Sequence, residues 1–281
     1  MLRRGEPEFC RDRQPHPVGT QIASAPIRAN VSYNAATVGG LPPGRHATPR
    51  ACEPRPWLAR TTRMWYIRHM PSLTPEAAWK SLRDGNDRFV SGALQHPGQG
   101  AADRAKLVAG QQPSAILFGC GDSRVAAEII FDQGLGDMFV VRTAGHVIDS
   151  SVLGSIEYGI AVLNVPLIVV LGHDSCGAVR ATIDALDGGA VPGGFIRSVV
   201  ERVTPSVLLG RRDGLTGVDE IEARHVVETS RLLAQRSTII SERVAAGECA
   251  IAGVTYKLAD GRAQLRGVLG DIGENTAPIA L

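Results

Sequence analysis

The chain has 281 residues and a mass of 29.8 kDa, 44% of its residues are hydrophobic, and its formal net charge is +2. This length allows one large domain or two small ones, and five scattered cysteines are too few for a small disulfide-stabilised scaffold. No segment approaches the roughly 18 consecutive apolar residues of a membrane-spanning helix. We therefore expect a soluble protein of a reducing compartment, the cytoplasm.

Residues 1–69 differ in composition from the rest of the chain. They contain eleven arginines, no lysine, four acidic residues and nine of the 17 prolines, so they carry an excess of seven positive charges. Residues 70–281 have an excess of five negative charges. The first segment has no sustained helical or strand periodicity, and its composition buries too little apolar surface to offset the entropy of ordering.

We interpret residues 1–69 as a disordered leader, or as upstream sequence included by an early start, ahead of a catalytic-size domain over residues 70–281. Met70 directly precedes the first ordered pattern, so translation from Met70 is a hypothesis. A nucleic-acid-binding arm and a transit peptide are the alternatives for an arginine-rich terminus. The acidic body has no basic stripe with aromatic residues, so we expect no nucleic-acid partner for it.

The first predicted element after Met70 is a helix. Thr74 followed by Pro75 and Glu76 is typical of a helix start, and apolar residues recur at helical spacing as far as Phe89. A second, polar helix is predicted over residues 103–109.

Three short apolar runs predict buried strands: SAILFG at 114–119, MFVVR at 138–142 and PLIVVLG at 166–172. Each run is continuously hydrophobic, as in parallel strands that are covered on both faces.

Helical patterns lie between these strands and after them, and a hairpin pattern follows near the C-terminus. AIAGVTYKL and RAQLRGVL flank Asp260-Gly261, a common hairpin turn pair. The predicted fold is therefore α/β, with a mostly parallel central sheet, an antiparallel edge strand and flanking helices. The helices are predicted over 151–163, 176–186, 196–209 and 218–246.

Polar residues with metal-binding chemistry follow two of the predicted strands. Cys120 comes after the first strand, and His173 and Cys176 come after the third. Because the carboxyl ends of parallel strands share one edge of a sheet, these side chains can meet. Thiolate and imidazole ligands suit zinc, and a cysteine at a helix start has its thiolate favoured by the helix dipole.

Each residue also has a simpler interpretation. A single buried cysteine is usually a small apolar residue, and Asp122 with Arg124 could be an ordinary ion pair. The combination of two strand ends favours a metal site. A structural zinc site would need a fourth cysteine or histidine, and none occurs at suitable spacing. Three protein ligands leave a fourth position for water or for Asp122, which is typical of a catalytic site.

The segments CGDSRV at 120–125 and GHDSCGA at 172–178 together resemble the two signatures of β-class carbonic anhydrases. The intervening segment 131–145 is also similar to that family, most of all to its mycobacterial and other actinobacterial members. The resemblance spans roughly residues 72–275.

This resemblance implies one zinc ion bound by Cys120, His173 and Cys176, with Asp122 as the fourth ligand or as the partner of Arg124. It implies hydration of carbon dioxide to bicarbonate by a zinc-bound hydroxide, which an Asp122-Arg124 dyad orients. It also implies a homodimer or a homotetramer. Hydrolysis of carbon disulfide or carbonyl sulfide on the same scaffold, and a structural zinc protein, are the alternatives.

Two further expectations concern single residues. Asp122 could switch between zinc, which closes the site, and Arg124, which leaves it open. His146 stands where asparagine is common in the family, and we expect it to make a structural hydrogen bond.

Overall fold

The computed structural model describes residues 73–276 and 278–280. The predicted leader over residues 1–69 and the proposed start at Met70 lie outside these described residues. No helix in the described part of the chain is both long and apolar enough to cross a membrane.

The first predicted helix is confirmed as α1 (Pro75–Val90), and the Thr74 side chain accepts a hydrogen bond from the Ala77 amide at its start. The polar helix α2 (Ala101–Leu107) begins and ends two residues earlier than predicted.

The predicted sheet is present and has five strands in the order β2-β1-β3-β4-β5. All neighbouring pairs are parallel except β4 and β5, which form the predicted antiparallel hairpin at one edge. The strands are β1 (Ala115–Cys120), β2 (Met138–Thr143), β3 (Leu167–His173), β4 (Ala250–Tyr256) and β5 (Ala263–Leu269).

Within the described residues, six further α-helices connect or cover these strands. The four-residue helix α3 was not predicted, since it is too short for helical periodicity to show. The next three match predicted helices, although their ends differ, and the last two lie where one helix was predicted over residues 218–246. These helices are α3 (Ala127–Ile130), α4 (Ser150–Ala161), α5 (Gly177–Gly188), α6 (Ile196–Arg212), α7 (Val218–Arg236) and α8 (Thr238–Ala245).

The single helix predicted over residues 218–246 is wrong, because the chain breaks into α7 and α8 at Ser237. Ser237 has an extended backbone (φ −119°, ψ 112°), and its hydroxyl oxygen accepts from the Ile240 amide at 3.2 Å. A serine that caps a new helix competes with continuation of the old one. The hydrophobic periodicity of the sequence continues past Ser237, so the sequence pattern does not reveal where the helix breaks.

Helices cover the sheet on both faces. Alternate residues of β1 and β3 point to opposite sides, so Leu117 packs in the same layer as Trp79 of α1. Ile116 packs in the other layer, with residues of α4, α7 and α8 such as Ile156.

The prediction that all three strands are fully buried is wrong for β2. Strands β1 and β3 are completely buried, whereas the side chains of β2 are half-buried or exposed. The reason is position, since β2 is one of the two edge strands of the sheet and pairs only with β1. Its apolar sequence alone does not distinguish an edge from a centre.

Candidate metal centre

Three elements bring the predicted ligands together. Cys120 is the last residue of β1, His173 is the last residue of β3, and Cys176 immediately precedes α5. Since β1 and β3 are parallel neighbours, their carboxyl ends lie side by side. The two sulfur atoms and the His173 ring nitrogen all lie within 4.8 Å of one another, and all three residues are buried.

His173 has one ring nitrogen free to bind a metal. Its Nδ1 lies 2.8 Å from the Asp174 carbonyl oxygen, and a carbonyl only accepts, so Nδ1 carries the proton. Nε2 is then left with a lone pair, and it is buried with no hydrogen-bond partner among the described residues. A buried nitrogen of this kind, oriented by a hydrogen bond at the other nitrogen, fits a metal ligand.

A hydrogen bond between the two thiols shifts their pKa values in opposite directions. A hydrogen bond from Cys176, together with one from the Gly145 amide, lowers the pKa of Cys120 to about 4. The same contact and burial raise the pKa of the Cys176 thiol. A divalent cation would displace the remaining proton. Two thiolates and one imidazole form a donor set that fits zinc.

Asp122 lies beside this group and is held by Arg124. The Arg124 guanidinium donates from Nε to Oδ1 at 3.0 Å and from Nη2 to Oδ2 at 2.7 Å, and its backbone amide donates to Oδ1 at 2.9 Å. These hydrogen bonds hold the pKa of the Asp122 carboxyl far below its usual range. Asp122 Oδ2 lies 3.9 Å from His173 Nε2. Of the two predicted roles, this conformation has Asp122 as the partner of Arg124.

Arg142 has a positioning role that the sequence alone did not indicate. Its Nε donates to the Cys120 carbonyl at 2.8 Å, and its Nη2 donates to the Asp122 carbonyl at 2.6 Å. The register pairs Arg142 of β2 with Gly119 of β1, directly before Cys120. A cross-strand arginine therefore fixes the backbone between the first ligand and the dyad.

A polar layer lies behind the metal centre and was also missed. The buried Glu222 of α7 accepts from the His173 amide at 3.2 Å, and burial raises its pKa to about 8. A Cβ atom on Gly172 would lie 2.4 Å from Glu222 Oε1, so only glycine lets α7 approach β3 this closely. The available signal was that Glu222 and His225 stand at helical spacing among the apolar residues Ile221, Val226 and Leu233.

The structural hydrogen bond expected of His146 is wrong within the described residues. Neither ring nitrogen has a partner there, and the nearest acidic oxygen, Glu222 Oε1, is 3.7 Å from Nδ1. Instead the ring packs against His225, with 4.3 Å between the ring centroids.

Comparisons with known proteins give a consistent result. A family model described as carbonic anhydrase matches residues 115–263. Carbonic anhydrase 2 of Mycobacterium tuberculosis is 69% identical over 205 residues, which cover 73% of this chain and 99% of that protein. A carbonic anhydrase of Mycolicibacterium smegmatis is 68% identical over 73% of this chain and 100% of its own length.

Solved structures share the fold. One of two tetrameric β-carbonic anhydrases from Sordaria macrospora superposes with a TM-score of 0.53 at 24% identity, over 66% of this chain and 95% of that chain. A Coccomyxa β-carbonic anhydrase in complex with acetazolamide superposes with a TM-score of 0.52 at 21% identity, over 66% of this chain and 83% of that chain.

Proposed function

This chain belongs to the β-carbonic anhydrase family, and on that premise we propose that it catalyses the zinc-dependent, reversible hydration of carbon dioxide to bicarbonate and a proton. The observation that carries the proposal is the meeting of Cys120, His173 and Cys176 beside a carboxylate that Arg124 holds. Among the described residues no fourth cysteine or histidine joins this group, which favours a catalytic site over a structural one.

Cys120, His173 and Cys176 would hold the zinc ion. Bound zinc supplies Lewis acidity, which lowers the pKa of a water molecule so that it can attack carbon dioxide near neutral pH. The residues around it must then orient that water and keep the site open to a small apolar substrate.

Asp122 supplies the orientation. Its carboxylate stays ionised because Arg124 donates to both oxygens, so it can only accept hydrogen bonds. A water that donates to Asp122 Oδ2 has its proton fixed there and its lone pair free for the substrate carbon. Arg142 keeps this carboxylate in register with Cys120 through the backbone carbonyls of both residues.

Stopped-flow measurement of carbon dioxide hydration, with zinc quantified in the same sample, tests the proposal. We expect saturable hydration with about one zinc per subunit, and loss of zinc and activity together in Cys176→Ala because one ligand is removed. Cys249→Ala is the matched control, since Cys249 is also buried but lies outside the ligand group. A zinc-loaded protein that hydrolyses carbonyl sulfide without hydrating carbon dioxide would contradict it.

The proposal includes a homo-oligomer, a dimer or a tetramer. Its support is the half-buried edge strand β2, whose Phe139 packs on Tyr158 of α4 at 6.2 Å between ring centroids. Tyr158 of α4 and Val162, which directly follows α4, remain 47% and 52% exposed, which leaves an apolar surface that a second copy could cover. Light scattering after size exclusion tests this, and the mass of a single chain at micromolar concentration would contradict it.

We also propose that the protein is cytoplasmic, since the site depends on reduced thiols. The three cysteines of the described residues, Cys120, Cys176 and Cys249, are free and buried. The catalytic domain in this proposal is residues 70–281, because every site residue lies within it.

A further inference from the structure

A strained turn lies directly against the first metal ligand. Gly145 and His146 are both in the left-handed region, with φ of 62° and 39°. The Gly145 amide donates to Cys120 Sγ at 3.3 Å. A Cβ atom on Gly145 would lie 2.5 Å from the Ala178 side chain in the first turn of α5, so the turn is pressed against the helix that follows Cys176. Consecutive left-handed residues of this kind persist only where neighbouring groups hold them.

The group that holds this turn is His225 of α7. Its Nε2 lies 3.0 Å from the Gly145 carbonyl oxygen, and Ser206 Oγ of α6 lies 2.8 Å from its Nδ1. Because the carbonyl only accepts, Nε2 must donate, Nδ1 must accept, and the Ser206 hydroxyl must donate to it. Both Ser206 and His225 are only 3% exposed. The Ser206 hydroxyl therefore donates to His225, and His225 donates to the Gly145 carbonyl.

His225 is uncharged in this position. Burial lowers the pKa of His225 to about 4, and burial also lowers the pKa of His146, whose ring stacks on it. The other titratable groups near these rings are Glu222, which faces His146, Glu228 on α7, and the candidate ligands Cys120 and His173. Two stacked neutral rings fill the space behind the turn without placing a second positive charge next to the metal centre.

We propose that His225, oriented by Ser206, is a positioning residue for the metal centre: it fixes the Gly145 carbonyl and so keeps the Gly145 amide directed at the Cys120 sulfur. A backbone donor to a thiolate withdraws negative charge from the sulfur, so the bound cation retains more of its own charge. Through the hydrogen bond from the Gly145 amide to Cys120, the buried Ser206 of α6 and His225 of α7 influence the acidity of the metal centre. The inference rests on the proposed zinc chemistry.

The test compares four single variants of the full chain, His225→Leu, His225→Gln, Ser206→Ala and Ser230→Ala. Leucine fills the space but cannot donate to Gly145, whereas the glutamine amide can donate to the carbonyl and accept from Ser206. Ser230→Ala is the matched control, because this buried hydroxyl of α7 bonds only within its own helix, to the Val226 carbonyl.

Two quantities are measured, the zinc dissociation constant by competition with a chelator and the pH dependence of kcat/KM. For His225→Leu we expect zinc affinity about 10- to 100-fold weaker and an acid limb of the pH profile displaced to higher pH. His225→Gln should restore most of the affinity, Ser206→Ala should fall between wild type and His225→Leu, and Ser230→Ala should match wild type.

Wild-type zinc affinity and an unchanged pH profile in folded His225→Leu would overturn the inference. If that variant does not fold, Ser206→Ala decides, and zinc affinity equal to that of Ser230→Ala overturns the proposed role. Zinc affinity that weakens equally in His225→Gln and Ser206→Ala, with an unchanged pH profile, would show that these residues act only through packing. That result would also overturn the inference. A wild-type protein that binds zinc without hydrating carbon dioxide would contradict the proposed function, while the chelator measurement would still test His225.

Discussion

At the scale of single residues, the orientation of Asp122 determines what the metal centre can do. A carboxylate next to two thiols and an imidazole could complete the coordination of a cation. Here three hydrogen bonds from Arg124 hold it away, at 3.9 Å from His173 Nε2. Because a guanidinium is a rigid planar fork, its charge-assisted contacts to both oxygens fix the plane of the Asp122 carboxylate as well as its position.

Arg124→Ala should therefore leave zinc bound and lower kcat/KM by about 10- to 100-fold, since the freed Asp122 no longer orients the attacking water. Zinc content and stopped-flow rates, measured on the same preparation, check this. Arg124→Lys keeps the charge without the fork and should recover only part of the activity. Normal hydration by the alanine variant would show that the dyad argument is wrong.

At the scale of elements, the break between α7 and α8 depends on one serine. Ser237 accepts from the Ile240 amide and donates from its hydroxyl to Glu157 Oε1 at 2.6 Å, so it both starts α8 and ties that helix to α4. Loss of these contacts affects how α8 packs on the sheet, far from the ligands.

We expect Ser237→Ala to reduce the free energy of unfolding by about 1–2 kcal/mol, with zinc content and kcat unchanged. Urea denaturation followed by circular dichroism measures the first quantity. Ser241→Ala is the control, because that exposed hydroxyl of α8 bonds only to the Thr238 carbonyl of its own helix. A loss of stability no larger than in the control would contradict the assigned capping role.

Asp132 connects α1 to the loop after α3. Although burial acts in the opposite direction, Arg88 and the amides of Gln95 and His96 lower the pKa of this buried carboxyl. A depressed folded-state pKa contributes stability above the unfolded-state value, about 3.9 for aspartate, and that stability is lost as the pH falls below it.

Stability profiles of wild type and Asp132→Asn should therefore converge as the pH falls below about 4. The asparagine variant should be the less stable of the two near neutral pH and should lose less stability on acidification. Equilibrium urea unfolding across this pH range checks the sign. Parallel profiles would show that Asp132 does not contribute through its charge.

At the scale of the whole molecule, function is concentrated in the acidic part of the chain. The M. tuberculosis relative matches 205 residues, which are 99% of its own length but 73% of this chain. Every ligand, the dyad and the polar layer behind them lie after residue 72.

A chain that begins at Met70 should therefore bind zinc with the affinity of the full chain and show the same kcat/KM. Chelator competition and stopped-flow assays on both proteins, purified in parallel, make the comparison. A defect in the shorter chain would assign residues 1–69 a part in the activity, contrary to the proposed domain boundary.

The sequence by itself determined the α/β class, the strands and the candidate ligand group of Cys120, His173 and Cys176. Continuous apolar runs and strand-end cysteine and histidine are local patterns, and parallel strands necessarily bring their carboxyl ends to one edge. Thr74 likewise marked the start of α1 because capping involves only neighbouring residues.

Only the tertiary structure decided the edge position of β2, the break at Ser237, the conformation of Asp122 and the roles of Arg142, Glu222 and His225. The position of β2 depends on which strands pair, and the roles of Arg142, Glu222 and His225 depend on residues distant in sequence. Arg142 reaches Cys120 across a strand pair, and His225 reaches Gly145 over 80 positions. Periodicity and motifs describe what a segment can form, whereas the partner that satisfies a buried polar atom is chosen only when the elements pack.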